Sequence, residues 1–165
     1  MNKEYADLIE RYAHGGEKLS LAIRGLTRED MLCPPAGDNP KLGKWSIQQV
    51  VIHIMDSDLI AADRMKRVIA EDNPTLIGYD ENKFATNLFM DEQSAEDAVK
   101  ITSLNRQNFA RVLRKLPDSA FARAGMHNER GRTTLLDLLK TYTNHLDHHL
   151  SFIHAKRAAM GKEMW

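Results

Sequence analysis

Near the C-terminal end of the chain, His145 and His149 stand four residues apart in the run HLDHHLSFI, inside a pattern that reads as one long helix. Residues at i and i+4 share a helix face, so two imidazoles there can converge on one metal ion without bending the backbone. A third histidine, His53, lies in a different long amphipathic pattern. Three histidines from two helices make the ligand set of a metal site that keeps a position open for chemistry. A divalent ion among three neutral imidazoles keeps its full double charge and acidifies what it binds. That could be a small-molecule thiol, which favours zinc for its affinity for sulfur, with nickel or iron as alternatives, or a water directed at an amide or ester bond. The residues do not choose between the two. A reading from another class is a non-catalytic bundle that binds a ligand or partner and keeps the histidines as a structural or vestigial site; structural zinc normally takes four protein ligands and leaves nothing open.

Register decides which histidines face inward. Continuing Leu135, Leu138 and Tyr142 by steps of three and four reaches His145, His149, Phe152 and Lys156, which places both histidines on the apolar, core-facing stripe. His148 falls with Thr141, Asn144, Ser151 and Ala155 on a small, polar face and is expected to look outward. Two adjacent buried imidazoles without a metal would leave ring nitrogens short of partners. His53 runs with Gln49, Val50, Asp56, Ser57 and Ile60 on the shoulder of its stripe. Asp56, one turn on, is the candidate catalytic residue: it could accept the hydrogen bond of a non-ligating ring nitrogen or act as a base, the plain alternative being a solvated helix residue. His14 and His154 read as surface residues, and His127 as a loop residue at the edge of the site at most. Trp45, Tyr79, Asp80, Tyr142 and Arg132 are candidates for the pocket or its rim, although packing is the commoner role of the aromatics. Cys33, the single cysteine, sits in a proline-flanked loop where nothing adjacent would lower its pKa, which argues for an incidental thiol.

Four long helical patterns must position these groups. The first carries apolar residues from Tyr5 to Leu26 across the Gly15-Gly16 pair, which costs helix stability. The second opens at Ser46, with Gln49 completing a capping box, and runs to about Asp72. The third opens at Ser94 and stops at Pro117. The fourth opens at Thr133 or Thr134 and ends before Gly161. No comparable segment alternates with period two. The expectation is an all-α protein, an antiparallel, up-down four-helix bundle, with long links at 27–45, 73–93 (holding a short helix around Asp80 to Leu88) and 117–132. Links this long in a compact bundle are usually functional.

Composition bounds the setting. A chain of 165 residues suits one domain, 1–165, and 23 basic against 23 acidic residues give no charge to attract nucleic acid or an anionic membrane. The charged N-terminal stretch MNKEYADLIERY lacks a signal peptide's apolar core, so a cytoplasmic protein is expected. A ferritin-type di-iron bundle would need Glu-x-x-His pairs on two helices, which are absent at the required places, and CxxCH for attached heme is absent too.

The stretch KWSIQQVVIHIMDSD, in which a tryptophan and a helix cap lead to a histidine and then an aspartate, resembles the first ligand segment of the DinB-like (YfiT-like) metalloenzyme superfamily. GRTTLLDLLKTYTNHLDHHLSFI resembles its second, in which a threonine-leucine helix start leads to HxxHH. Order, spacing and helix count agree over essentially the whole chain. The resemblance implies a four-helix bundle holding one divalent metal by three histidines, which map onto His53, His145 and His149. It implies a bacillithiol- or mycothiol-type thiol transferase or a hydrolase acting on a small molecule, and a homodimer. Some relatives replace the first histidine of the last pair with a carboxylate; this chain does not.

Overall fold

A computed structural model describes residues 1–35, 37 and 39–163. The first pattern becomes two nearly continuous helices, α1 (Lys3–Ala13) and α2 (Gly15–Ile23), with a one-residue break at His14. The glycine pair has a packing reason. A Cβ on Gly15 would run into the Arg106 guanidinium, and one on Gly16 into the backbone of Ser103. The helix propensity lost there is exchanged for close approach to a neighbouring helix.

A short helix, α3 (Arg28–Leu32), follows a Thr27–Asp30 capping box. The second pattern is α4 (Ile47–Ala70), started by the Ser46–Gln49 box expected from sequence. The next link holds β1 (Thr75–Leu76) and α5 (Glu81–Asn87), the latter inside the range expected for it. Ser94 then caps α6 (Ala95–Leu113). A 3-10 turn at Asp118–Ala122 leads into β2 (Ala124–His127) and β3 (Gly131–Thr134), and α7 (Leu135–Ala159) opens on a Thr134–Asp137 capping box. No described helix is long and apolar enough to cross a membrane.

The expected bundle is present, with two refinements. First, the links at 73–93 and 117–132 join in a small sheet in the order β1-β2-β3, with β1 parallel to β2 and β2 antiparallel to β3. Strands of two to four residues are too short for a period of two to show in sequence. Second, the up-down alternation is interrupted once. Gln48 bonds the carbonyl of Gln93 and Asp58 pairs with Arg106, so α4 and α6 run in the same direction. The long link between them, carrying β1 and α5, returns the chain to the end where α4 began. By contrast Arg64 meets Tyr142 while Lys156 meets the Leu42 carbonyl, so α7 runs antiparallel to α4.

Two apolar clusters fill the interior. One gathers Ile9, Tyr12, Met65, Val68, Phe109, Phe121 and Leu139; the other Leu19, Ile47, Val51, Ile54, Leu146, Leu150 and Ile153. Along α4 they are separated by Asp58, which lies between Ile54 and Ala61 and binds Arg106 through both carboxylate oxygens at 2.5 and 2.7 Å. Arg106 also donates to the carbonyls of Tyr142 and Tyr12 and lies over the Tyr12 ring, so this buried pair is hydrogen-bonded on every side.

Candidate metal centre

His53 lies nearly two turns into α4, and His145 and His149 stack one turn apart along α7. Because the two helices are antiparallel neighbours, all three rings meet. His145 Nε2 is 3.1 Å from His53 Nε2 and 3.0 Å from His149 Nε2. The three side chains can each offer one nitrogen, all within 4.8 Å of one another.

The register of each histidine departs from the sequence reading. His145 and His149 are half-buried at the edge of the α7 core face, whose centre is Leu139, Thr143, Leu146, Leu150 and Ile153. His53, expected on a shoulder, is fully buried. The stripe of α7 faces α1 and α2 as well as α4, which rotates its centre away from the histidines. His53 is covered by a residue outside its own stripe: the Trp45 ring lies 4.7 Å from it, centroid to centroid, and is stacked against His149 at 6.4 Å. His148 is exposed, as its polar face implied, and so are His14 and His154.

The donor set fits a divalent ion. Nitrogens about 2.1 Å from one ion and at near right angles about it stand about 3.0 Å apart, and two of the three pairs, His145 with His53 and His145 with His149, have that spacing. Burial, and then the neighbouring ring, push the pKa of each of the three histidines down to about 3. They are therefore neutral at physiological pH, the form that ligates metal. The Nδ1 atoms of His53 and His149 are buried without partners. Imidazoles packed purely for structure normally have both nitrogens satisfied.

The other candidates divide. Asp56 makes no hydrogen bond to a site histidine among the described residues, and its Oδ2 is buried and unpaired. Of the two roles the sequence offers Asp56, the hydrogen bond to a ring nitrogen is not formed here. Burial raises the pKa of Asp56 and is also the largest cause of the raised pKa of Tyr79, to which the charges of Glu81 and Asp56 add. Tyr142 contacts His145 edge to face at 6.4 Å. Asp80 caps α5 instead of lining the site, and Arg132 is exposed on β3, donating to the Ala122 carbonyl. His127 belongs to a strand and is buried; its Nδ1 accepts from the Glu129 backbone N–H.

Three residues escaped the sequence reading. Glu81, in the first turn of α5, brings Oε2 to 3.9 Å from His53 Nε2. Its signal was the short helix expected at Asp80, whose first turn faces the histidines once the link folds back. Arg64, on α4, is buried and donates to the Tyr142 hydroxyl and the Ile77 carbonyl. Arg130 is exposed in the β2–β3 turn, three residues from His127, whose pKa is lowered first by burial and then by the charges of Arg64 and Arg130. Nothing local in the sequence marks either arginine.

The sequence pattern of the DinB superfamily matches residues 4–153. The chain belongs to the DinB superfamily. Among its relatives is a protein of Oceanobacillus iheyensis named "Putative metal-dependent hydrolase", 30% identical over 111 residues, which are 67% of this chain and 64% of that one. A protein of the same description from Bacillus mycoides is 29% identical over 143 residues, 85% of this chain and 78% of that one. The chain thus spans a little under two thirds of the first relative. The solved structure of YfiT from Bacillus subtilis, described as "a probable metal-dependent hydrolase with an unusual four-helix bundle topology", superimposes with a TM-score of 0.88 at 25% identity, over 98% of this chain and 90% of that one. The four-helix bundle of this chain thus matches that structure over nearly its whole length, and among the described residues His53, His145 and His149 are grouped closely enough to hold a metal.

Proposed function

We propose that this DinB protein is a metal-dependent hydrolase of a small molecule, with His53, His145 and His149 holding one divalent ion, zinc in the first instance. A divalent ion there supplies Lewis acidity, lowering the pKa of a water or thiol that it binds and polarising a carbonyl or phosphoryl oxygen. The observation that carries the hydrolytic reading is Glu81, whose carboxylate stands 3.9 Å from His53 Nε2. Attack by water requires removal of a proton, and a half-exposed carboxylate at the edge of the nitrogen cluster can accept that proton and release it to solvent. Asp56 is the second acid–base group; burial favours its protonated form, which suits returning a proton to a leaving group. Trp45 covers His53 and His149, shielding the cluster from bulk water on that side.

The second reading is transfer from a bacillithiol- or mycothiol-type thiol. A thiol, with an ordinary pKa of about 8.5, needs no carboxylate to lose its proton beside a cation. The two readings therefore differ at Glu81. Elemental analysis of protein purified without an affinity tag should find one divalent ion per chain. Zinc-loaded Glu81→Gln should keep the ion and lose most of its turnover of activated ester and amide substrates. Retained turnover in that variant, with dependence on added thiol, would move the assignment to the transferase. Absence of stoichiometric metal would end both.

A further inference from the structure

The face of α7 that carries His145 and His149 continues through Phe152 to Lys156, about two turns and 10 Å of helix rise beyond His149. A lysine that leaves the surface normally runs its amine back to water or to a carboxylate. Lys156 does neither. It is only 4% exposed, its one hydrogen-bond partner among the described residues is the Leu42 carbonyl, and its Nζ lies 5.3 Å from the centre of the Phe152 ring. Asp30, on α3 shortly before Cys33, is occupied by Lys162 and by its own Thr27 cap.

Lys156 lines a small cavity of about 190 Å³. Pro34 and Pro35 from the first long link, Leu42, Ile47 at the start of α4, and Ala159 and Met160 at the end of α7 supply apolar walls. Cys33 completes them and is exposed, so the cavity meets solvent on that side. At about 30 Å³ for a water, the space equals about six water-sized groups, room for a short aliphatic molecule and little more. Taking the ammonium out of water disfavours its charge and pushes the Lys156 pKa down to about 8. At pH 7.5 roughly a quarter of the molecules then carry a neutral amine, against about 0.1% for a lysine at its ordinary 10.4. A neutral amine still donates one N–H to Leu42 and keeps its lone pair for a bond to carbon.

We propose that Lys156 is a nucleophilic amine and that its cavity captures a small aliphatic aldehyde as an imine. The Lys156 nitrogen bonds to the carbonyl carbon, its two hydrogens leave with the carbonyl oxygen as water, and the C=N bond forms without an oxidant or reductant. The apolar walls take the alkyl group and keep bulk water from the imine. This site is separate from the metal centre, because Phe152 stands between them on α7 with its ring 5.9 Å from that of His149, and it rests on no part of the hydrolase reading.

The test treats the purified full chain with a low dose of propanal and cyanoborohydride at pH 7.5, which reduces any imine to a stable propylamine, and quantifies each lysine peptide by mass spectrometry. Lys156 should be labelled at least about ten-fold faster than the exposed Lys66 and Lys115, a margin set below the roughly 200-fold excess of neutral amine because burial slows access. With 1-naphthaldehyde, too large for the cavity, that order should reverse. Lys156→Met, which keeps an unbranched apolar stem, should remove the fast phase and leave the Lys66 and Lys115 rates unchanged; the peptide map of the unaltered chain decides the matter even where this variant folds poorly. Equal labelling of all three lysines, the result for an amine held as ammonium by an acid elsewhere in the chain, would overturn the proposal. So would a preference for Lys156 that 1-naphthaldehyde shares, or a fast phase that survives in Lys156→Met.

Discussion

Two buried polar clusters lie five residues apart on α4, and they are built on opposite terms. Around Asp58, both carboxylate oxygens and the Arg106 guanidinium meet partners, and a backbone carbonyl of the same residue takes the Asn105 amide. Around His53, two imidazole Nδ1 atoms, Asp56 Oδ2 and Arg64 Nε are buried with no partner. In the first arrangement the two charges satisfy one another and hold helices together, although the hydroxyls of Tyr12, beside Arg106, and of Thr102 are buried without partners. The second keeps open valences at one place, beside histidines whose pKa values are depressed. Burial of unsatisfied polar groups costs stability, so its concentration at one site marks where something else is meant to bind.

The comparison breaks first at its closed end. Asp58→Ala should cost about 3–5 kcal/mol in urea unfolding, because it strands Arg106 in the core. A loss below about 1 kcal/mol would mean that the pair is not the sealed unit described here. At the open end, adding zinc to metal-free protein should raise stability by about 2.7 kcal/mol once the free ion reaches a hundred times its Kd, with a higher Tm to match. His145→Ala and His149→Ala should abolish that gain together with stoichiometric binding, and the metal-free forms should stay folded. Gly15→Ala, pressing a methyl group onto Arg106, should cost about 1–3 kcal/mol without altering metal content. A neutral or stabilising result would show that the helix pair can separate there.

Acid should separate the clusters as well. The three site histidines sit at about 3 in the folded chain against 6.5 ordinarily. As pH falls below 6.5 the unfolded chain takes up protons that the folded chain refuses, so the stability present above 6.5 is lost progressively toward 3. Denaturant midpoints of metal-free protein between pH 7 and 4 measure this slope, and it should shrink when His53 or His149 is replaced. The smallest effect belongs to His148→Ala, which should move stability by no more than about 0.5 kcal/mol and retain the metal. Metal loss in that variant equal to that of His145→Ala would show that the wrong pair on α7 has been assigned.

Much of the scaffold was legible because it is encoded locally. Ser46 with Gln49, Ser94 and Thr134 with Asp137 begin their helices through hydrogen bonds spanning three residues, which sequence alone displays. The spacing of His145 and His149 makes them neighbours in any helix, and His148 faces solvent for the same reason. The small sheet was not legible, since two- to four-residue strands carry no visible period and β1 pairs with a strand some fifty residues away. The degree of burial of the histidines was also misjudged, because a helix stripe shows that a face is covered and not by what.

By itself, then, the sequence determined four helices, their starts and the three imidazoles that could share an ion, since each depends on contacts within a turn or two of helix. Only the tertiary structure decided that α4 and α6 run in parallel, that Trp45 covers His53, that Glu81 reaches His53 and that Arg64 reaches Tyr142. Those placements depend on where the long links return, and a link's path is set by the surfaces it packs against rather than by its own residues.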